Sequence, residues 1–435
     1  MSSEPRATLF SNVRIFDGTS SALSVPSHVL VRGNVIDAIS TSPIAGADDA
    51  QVIDGAGRTL MPGLVDAHWH ATFVTLSPEV LMTADPGFIH IAAAREAERT
   101  LMRGFTTVRD AGGPAFGLKR AIDAGVCAGP RIYPSGAFIS QTSGHGDFRA
   151  RHEVPRDCCA HLSYTERLGA AALADGVSEV LRASREQLML GASQIKVMAG
   201  GGVSSPYDPI DVTQYTEAEM RAAVECAENW GTYVMVHAYT PRAVQQSIRA
   251  GVQCIEHGHL VDDETAAMIA DRGVWWSMQT FLDDEDAHPL PTPEGRAKAR
   301  RVFSGTDRAY SLAKKHGVKL AWGTDVLFDA KLAERQGAQL AKMLRWFTPA
   351  QVLRLATHDN AQLLALSGER NPYPGRLGIV REGALADLLL VDGDPLADIG
   401  LLGDPSAKLL VIMKDGKLAK HAVDGAGTRP APVVQ

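Results

Sequence analysis

The first sixty residues alternate apolar and polar positions in short runs. "ATLFSNVRIFDG", "SHVLVRGNVIDAIS" and "AQVIDGAGRTLMPG" each have strand character and break at Gly or Asp turn residues. No helix of ordinary length fits there. From Pro62 the pattern changes to short apolar runs separated by stretches of helical periodicity, as expected of βαβ units around a parallel sheet. Eight runs read as strands: "GLVDAHWH", "TTVRD", "RIYPSG", "SQIKVMAGG", "YVMVHAY", "QCIEHGH", "WWSMQ" and "KLAWGTD". Between them lie helical stretches such as "GFIHIAAAREAERTLMRG", "SEVLRASREQLMLG", "TEAEMRAAVECAENWG", "TPRAVQQSIRAG" and "DETAAMIADRG". Several end in Gly, and Thr216 and Thr240 stand where N-caps belong. After residue 370 the β pattern returns in "LGIVREGALADLLLVDG" and "AKLLVIMKDGKLAK". The expected fold is α/β: a distorted TIM (β/α)8 barrel over residues 62–365 and a small β-sandwich domain formed from residues 1–61 and 366–422, with 423–435 a flexible tail.

Composition narrows the class without changing this picture. With 435 residues, 45% hydrophobic and 21% charged, the chain has the makeup of an ordinary globular protein. Its net charge is −7, from 43 basic and 50 acidic side chains, and no dense Lys/Arg tract occurs, which argues against nucleic acid and anionic membranes as partners. The five cysteines are odd in number and lack CxxC spacing, so neither a disulfide framework nor a thiolate zinc site is expected. A reducing, cytoplasmic setting fits them. No secretory leader pattern opens "MSSEPRATLF", and no apolar stretch of membrane-spanning length occurs.

Candidate chemistry gathers at strand ends. Alternation puts Asp66, His68 and His70 of "DAHWH" on one strand face, with two imidazoles side by side at the end where barrel enzymes build their sites. His237 closes the fifth strand, His257 the sixth and Asp325 the eighth. Taken singly, a strand histidine is more often a hydrogen-bonded core residue, and an aspartate at a strand end is more often a helix cap. Coincidence of position changes that weighing. Four histidines and an aspartate would converge on one barrel mouth, a donor set suited to borderline divalent ions. Lys196 lies in the apolar run "GASQIKVMAGGG", where a buried ammonium is costly without a carboxylate partner. A neutral lysine amine can also react with carbon dioxide to give an anionic carbamate able to bridge two metal ions.

These residues resemble those of the amidohydrolase superfamily. "MPGLVDAHWH" is similar to its first-strand motif and "ADLLLVDGDPLADI" to its C-terminal β-domain signature, and the order HxH, Lys, His, His, Asp follows its binuclear pattern from about residue 8 to about residue 420. Within it the chain most resembles the imidazolonepropionase-like and Xaa-Pro dipeptidase-like group, including bacterial amidohydrolases that degrade ochratoxin A. The resemblance implies two divalent ions, zinc favoured, held by His68, His70 and Asp325 and by His237 and His257, with a CO2-derived carbamate on Lys196 between them. Asp325, Lys196 and His257 are then the implied catalytic residues. A homo-oligomer is also implied.

The resemblance further assigns His145, in the long segment 137–175, to substrate contact, helped by Tyr239; His288, in "MQTFLDDEDAHPLPTPEG", is a weaker candidate. Arg149, Arg151 and Arg156 read mainly as loop tethers, and Trp69, Phe73, Trp276, Phe281 and Phe328 as candidate walls for a bulky group. Asp66 is a candidate orienter of an imidazole, and Gly200 to Gly202 read as a flexible lip. The expected substrate is a small-molecule amide with a free carboxylate: an N-acyl amino acid or dipeptide, or ochratoxin A, cleaved to ochratoxin alpha and phenylalanine. Cyclic amide hydrolysis of the imidazolonepropionase type and lactonase- or phosphotriesterase-like ester hydrolysis are the alternatives. A scaffold without catalysis is disfavoured because all six ligand positions are filled.

Overall fold

Thr59–Pro62 joins the two parts of the chain. It pairs in parallel with Thr8–Ile15 and antiparallel with Leu388–Val391, and after Gly63 the backbone runs straight into the strand Leu64–Trp69. Glycine is required at the joint, since a Cβ on Gly63 would lie 2.0 Å from Thr106 Oγ1. The structure, a computed structural model, describes residues 7–153, 161–205, 207–287, 290 and 292–423.

One sheet draws on both chain ends. Its path runs Lys417–His421, Leu409–Lys414, Leu388–Val391, Thr59–Pro62, Thr8–Ile15, Ser27–Arg32 and Val35–Ser40, and Gln51–Asp54 pairs with Thr8–Ile15. Phe10, Val13, Val29, Ile36, Leu388 and Val411 bury its apolar face. Arg131 ties this sheet to the rest: Nε donates to Asp387 Oδ2 at 2.7 Å and Nη2 to Asp415 Oδ1 at 2.7 Å.

All eight expected strands form, as Leu64–Trp69, Phe105–Asp110, Arg131–Pro134, Ile195–Met198, Val234–Ala238, Cys254–His257, Trp275–Met278 and Lys319–Trp322. The first three make one parallel sheet and the last five belong to a second. Hydrogen bonds link the two sheets at two places. Ser193 N donates to Pro134 O at 2.7 Å on one side, and Asn360 Nδ2 bridges Val65 O and Trp322 O, both at 2.7 Å, on the other.

The segment 137–175 is not a bare loop. It holds the strands Phe138–Ser140 and Ala171–Leu173, which extend the second sheet, and the helix Tyr164–Leu168 behind a Ser163/Glu166 capping box. Three-residue strands are too short for alternation to mark them. The longest helix, Pro293–His316, is likewise absent from the patterned stretches named above: its buried face is built largely of small residues (Ala299, Gly305, Thr306, Ala309, Ala313), which apolar periodicity barely registers. Thr216 caps Glu217–Asn229 with a full capping box, whereas the Thr240 hydroxyl makes no cap bond to Pro241–Arg249. Among the described residues no helix is long and apolar enough to cross a membrane. The expected tail lies almost wholly outside the described residues.

Candidate metal and active site

His68, His70, Lys196, His237, His257 and Asp325 all line one cavity of about 760 Å³, together with His145 and Tyr239. Three of them form the tightest group: His68, His257 and Asp325 offer ligand atoms that all lie within 4.8 Å of one another. His70 joins through Asp325, and His237 through His257, whose ring centroid is 4.5 Å away.

Each imidazole is bonded on one side. His68 Nδ1 meets Glu256 Oε2 at 2.7 Å, His70 Nδ1 meets Gly112 O at 2.9 Å, His237 Nε2 meets Gly201 O at 3.1 Å, and His257 Nδ1 meets Gln279 Oε1 at 2.7 Å. Carboxylate and carbonyl oxygens only accept, so the bonded nitrogen carries the proton and the other keeps its lone pair. Burial pushes His68 down to about 4, and drives His237 and His257 well below the usual imidazole range. Neutral imidazoles are the form that binds metal.

Asp325 faces two of these lone pairs. Its Oδ1 is 3.4 Å from His68 Nε2 and 3.3 Å from His70 Nε2, and this buried oxygen has no hydrogen-bond donor. A carboxylate oxygen against two imidazole lone pairs is repulsive unless a cation lies among them. A proton is one such cation: burial disfavours charge on His70, but Asp325 and Asp110 outweigh it and raise its proton affinity. A divalent metal ion is the other, and the donor set of imidazoles and carboxylate fits one. His257 and Asp325 both hold left-handed backbone, with φ of 73° and 49°, an uncommon state for residues other than glycine that recurs at functional sites.

Lys196 is 1% exposed, and its side chain makes no hydrogen bond or ion pair among the described residues. Burial lowers its proton affinity, against the pull of Glu256 and Asp325. The carboxylate partner that would make it an ordinary buried ammonium is thus not within pairing distance.

The remaining expectations divide. His145 stacks on His237 with ring centroids 4.2 Å apart, its Nδ1 2.6 Å from Ser205 Oγ, and Tyr239 stacks on His257 at 5.1 Å. His288 and Arg156 lie outside the described residues. Arg149 pairs with Asp147 and Arg151 covers the Tyr207 ring, so both tether loops. Phe73, Phe281 and Phe328 line the cavity, but Trp69 and Trp276 are packed in the core, where Trp276 Nε1 donates to His257 O at 2.7 Å. Asp66 touches no imidazole. It accepts from the backbone N–H groups of His68 and Thr324, each at 3.0 Å, and so aligns the two strand ends instead. The glycine run is not a loose lip either: a Cβ on Gly201 would lie 1.9 Å from Pro209 O, and one on Gly202 2.0 Å from His145 Cε1. Close packing demands those glycines.

Sequence reasoning missed Glu256, Arg109, Gln279 and Lys298. Glu256 and Arg109 are fully buried and paired at 2.6 Å; burial pushes the Glu256 carboxyl up, and Arg109 and His68 more than reverse this and hold it well below the usual range. Lys298 Nζ donates to Gly202 O, Ser205 O and Asp208 O at 3.0, 2.9 and 2.6 Å, fastening the segment beneath His145. A charged residue inside an apolar strand run, as in "CIEH" and "TTVRD", was the available signal.

Comparison with known proteins bears on this arrangement. Residues 59–425 match the amidohydrolase family. The chain belongs to that family. This amidohydrolase is 33% identical over 374 residues to ochratoxinase from Aspergillus niger, covering 83% of the chain and 75% of that protein. Among solved structures, an amidohydrolase superposes with a TM-score of 0.87 at 38% identity, over 96% of this chain and 100% of that one. A prolidase complexed with N-methylphosphonate-L-proline also superposes with a TM-score of 0.87, at 36% identity over 95% and 100%. The protein is accordingly a hydrolase whose relatives act on amide and peptide bonds.

Proposed function

We propose that this amidohydrolase uses two divalent metal ions, zinc favoured, to hydrolyse the amide bond of an N-acyl amino acid or dipeptide, and that ochratoxin A is within its range. The observation that carries the reading is the set of four histidines lining one cavity, each hydrogen-bonded through one nitrogen, with two of them against an Asp325 oxygen that lacks a donor. In this reading His68, His70 and Asp325 hold one ion, His237 and His257 the other, and Lys196, as a carbamate, lies between them. The two parallel sheets are taken as arcs of one (β/α)8 barrel over residues 62–365, and residues 1–61 with 366–422 as the companion domain.

Bound divalent ions would polarise the scissile carbonyl and make water nucleophilic near neutral pH. Asp325 accepts the proton released on attack and passes it to the departing amine, a poor leaving group without it. His145 and Tyr239 orient the substrate, with His145 facing the free carboxylate. Phe73, Phe138, Phe281 and Phe328 offer an apolar wall for a bulky acyl group. The relation to ochratoxinase and prolidase supports this substrate class. Homo-oligomeric assembly in the cytoplasm belongs to the same reading.

The test is metal content measured together with hydrolysis of Xaa-Pro and Xaa-Phe dipeptides and ochratoxin A, with a lactone and a phosphotriester as controls. About two zinc ions per chain and amide cleavage are expected; absent metal, or turnover of the esters alone, overturns the proposal.

A further inference from the structure

The four candidate metal-binding imidazoles are not backed alike. His70 and His237 donate to backbone carbonyls and His257 to the Gln279 amide oxygen, all neutral acceptors, whereas His68 donates to the Glu256 carboxylate. That carboxylate is itself gripped. Arg109 Nη2 donates to Glu256 Oε1 at 2.6 Å, Nη1 to Tyr233 Oη at 3.1 Å, and Nε to Ala67 O at 2.6 Å. Ala67 immediately precedes His68, so the chain of bonds closes on itself: imidazole, carboxylate, guanidinium, and back to the strand that carries the imidazole. Glu256 and Arg109 are each 0% exposed. A neutral acceptor would satisfy the His68 N–H, and burying an ion pair for stability alone brings little, because desolvation offsets the attraction.

We propose that Glu256 and Arg109 are positioning residues for the metal site. The Glu256 charge keeps the His68 proton on Nδ1 and its Nε2 lone pair toward Asp325, which makes His68 a stronger metal ligand than its three neutrally backed companions. Arg109 sets a counter-charge against the carboxylate and, through its bond to Oε1, fixes the carboxylate's direction. The proposal rests on the reading of His68 as a ligand.

Two variants test it. Glu256→Gln keeps an acceptor for His68 but removes the charge; the double variant Arg109→Met with Glu256→Gln removes both charges together, so neither is left buried alone. Zinc affinity of the metal-free proteins, measured by competition with a chelator, should fall about 10- to 100-fold for the tightest ion in both variants, while the thermal midpoint of the metal-free double variant stays near that of the unsubstituted protein. Folded variants with unchanged zinc affinity overturn the proposal. So does a loss of metal-free stability in the double variant large enough to account for the weaker binding, since that is the mark of a structural role. Independently of any variant, nitrogen-15 spectra of the unsubstituted zinc-loaded protein should find the His68 proton on Nδ1; a proton on Nε2 sinks the idea. Should the unsubstituted protein bind no zinc at all, the failure lies with the proposed function instead.

Discussion

Asp325 and Lys196 meet opposite difficulties in the same cavity. The carboxylate has a buried oxygen without a donor, and the amine, on a residue 1% exposed, has no partner for a charge. The proposed metal cluster with a carbamate would resolve both, and each residue then gives its own prediction. Asp325→Asn should lower kcat about 100- to 10,000-fold, the usual range for a lost proton-transfer group, while metal analysis finds most of the metal retained, because five other ligands remain. An Asp325→Asn enzyme with full activity and full metal would contradict the role. Lys196→Ala should lose metal and activity together, and short carboxylates such as formate or propionate added to the assay should restore part of both. Failure of every small acid to restore either would count against the carbamate.

At the scale of elements, the segment carrying His145 is held by acid–base contacts whose strength depends on pH. Asp147 accepts from Ser143 N at 2.9 Å and pairs with Arg149. Burial raises its proton affinity, but Arg149 and Ser143 outweigh burial and hold the carboxyl below its ordinary range. A carboxyl that is more acidic in the folded state stabilises the fold above its unfolded pKa of about 3.9, and this contribution is lost as pH falls through the lower folded value. Urea midpoints of Asp147→Asn should therefore lie below those of the unsubstituted protein at neutral pH, with the gap closing below about pH 4. A gap constant from neutral pH into acid would show that the charge is not what stabilises the segment. The elements themselves were largely legible. Eight strand runs and the helix Glu217–Asn229 with its Thr216 cap follow from periodicity and capping chemistry. Phe138–Ser140 and Ala171–Leu173 do not, because three residues are too few to show a period.

For the whole molecule, the contact between the chain-end sheet and the parallel sheets depends on Arg131, whose side chain is 5% exposed beside an Asp387 at 4%. Removing one member of a buried pair leaves the other charge uncompensated. Arg131→Met should cost about 3–5 kcal/mol in stability, measured by chemical denaturation, with the metal content of the folded fraction unchanged. A loss below 1 kcal/mol would mean that water reaches Asp387 and solvates it.

What the sequence determined by itself was which side chains could share a strand face and a strand end: the two-residue period of "DAHWH" aligns His68 with His70, and closing positions bring His237, His257 and Asp325 to the same level. Which nitrogen of each ring turns inward was decided only by tertiary structure. His68 meets Glu256 across 188 positions and Arg109 meets Glu256 across 147, and such bonds depend on the stagger between neighbouring strands, which no periodicity along one strand encodes. The same holds for Gly202, Asp66 and Trp276. Each looked from the sequence like mouth or site chemistry, and each proved to pack against or align the groups that form it, because the distance between backbones, not the residue type, decides what a side chain can reach.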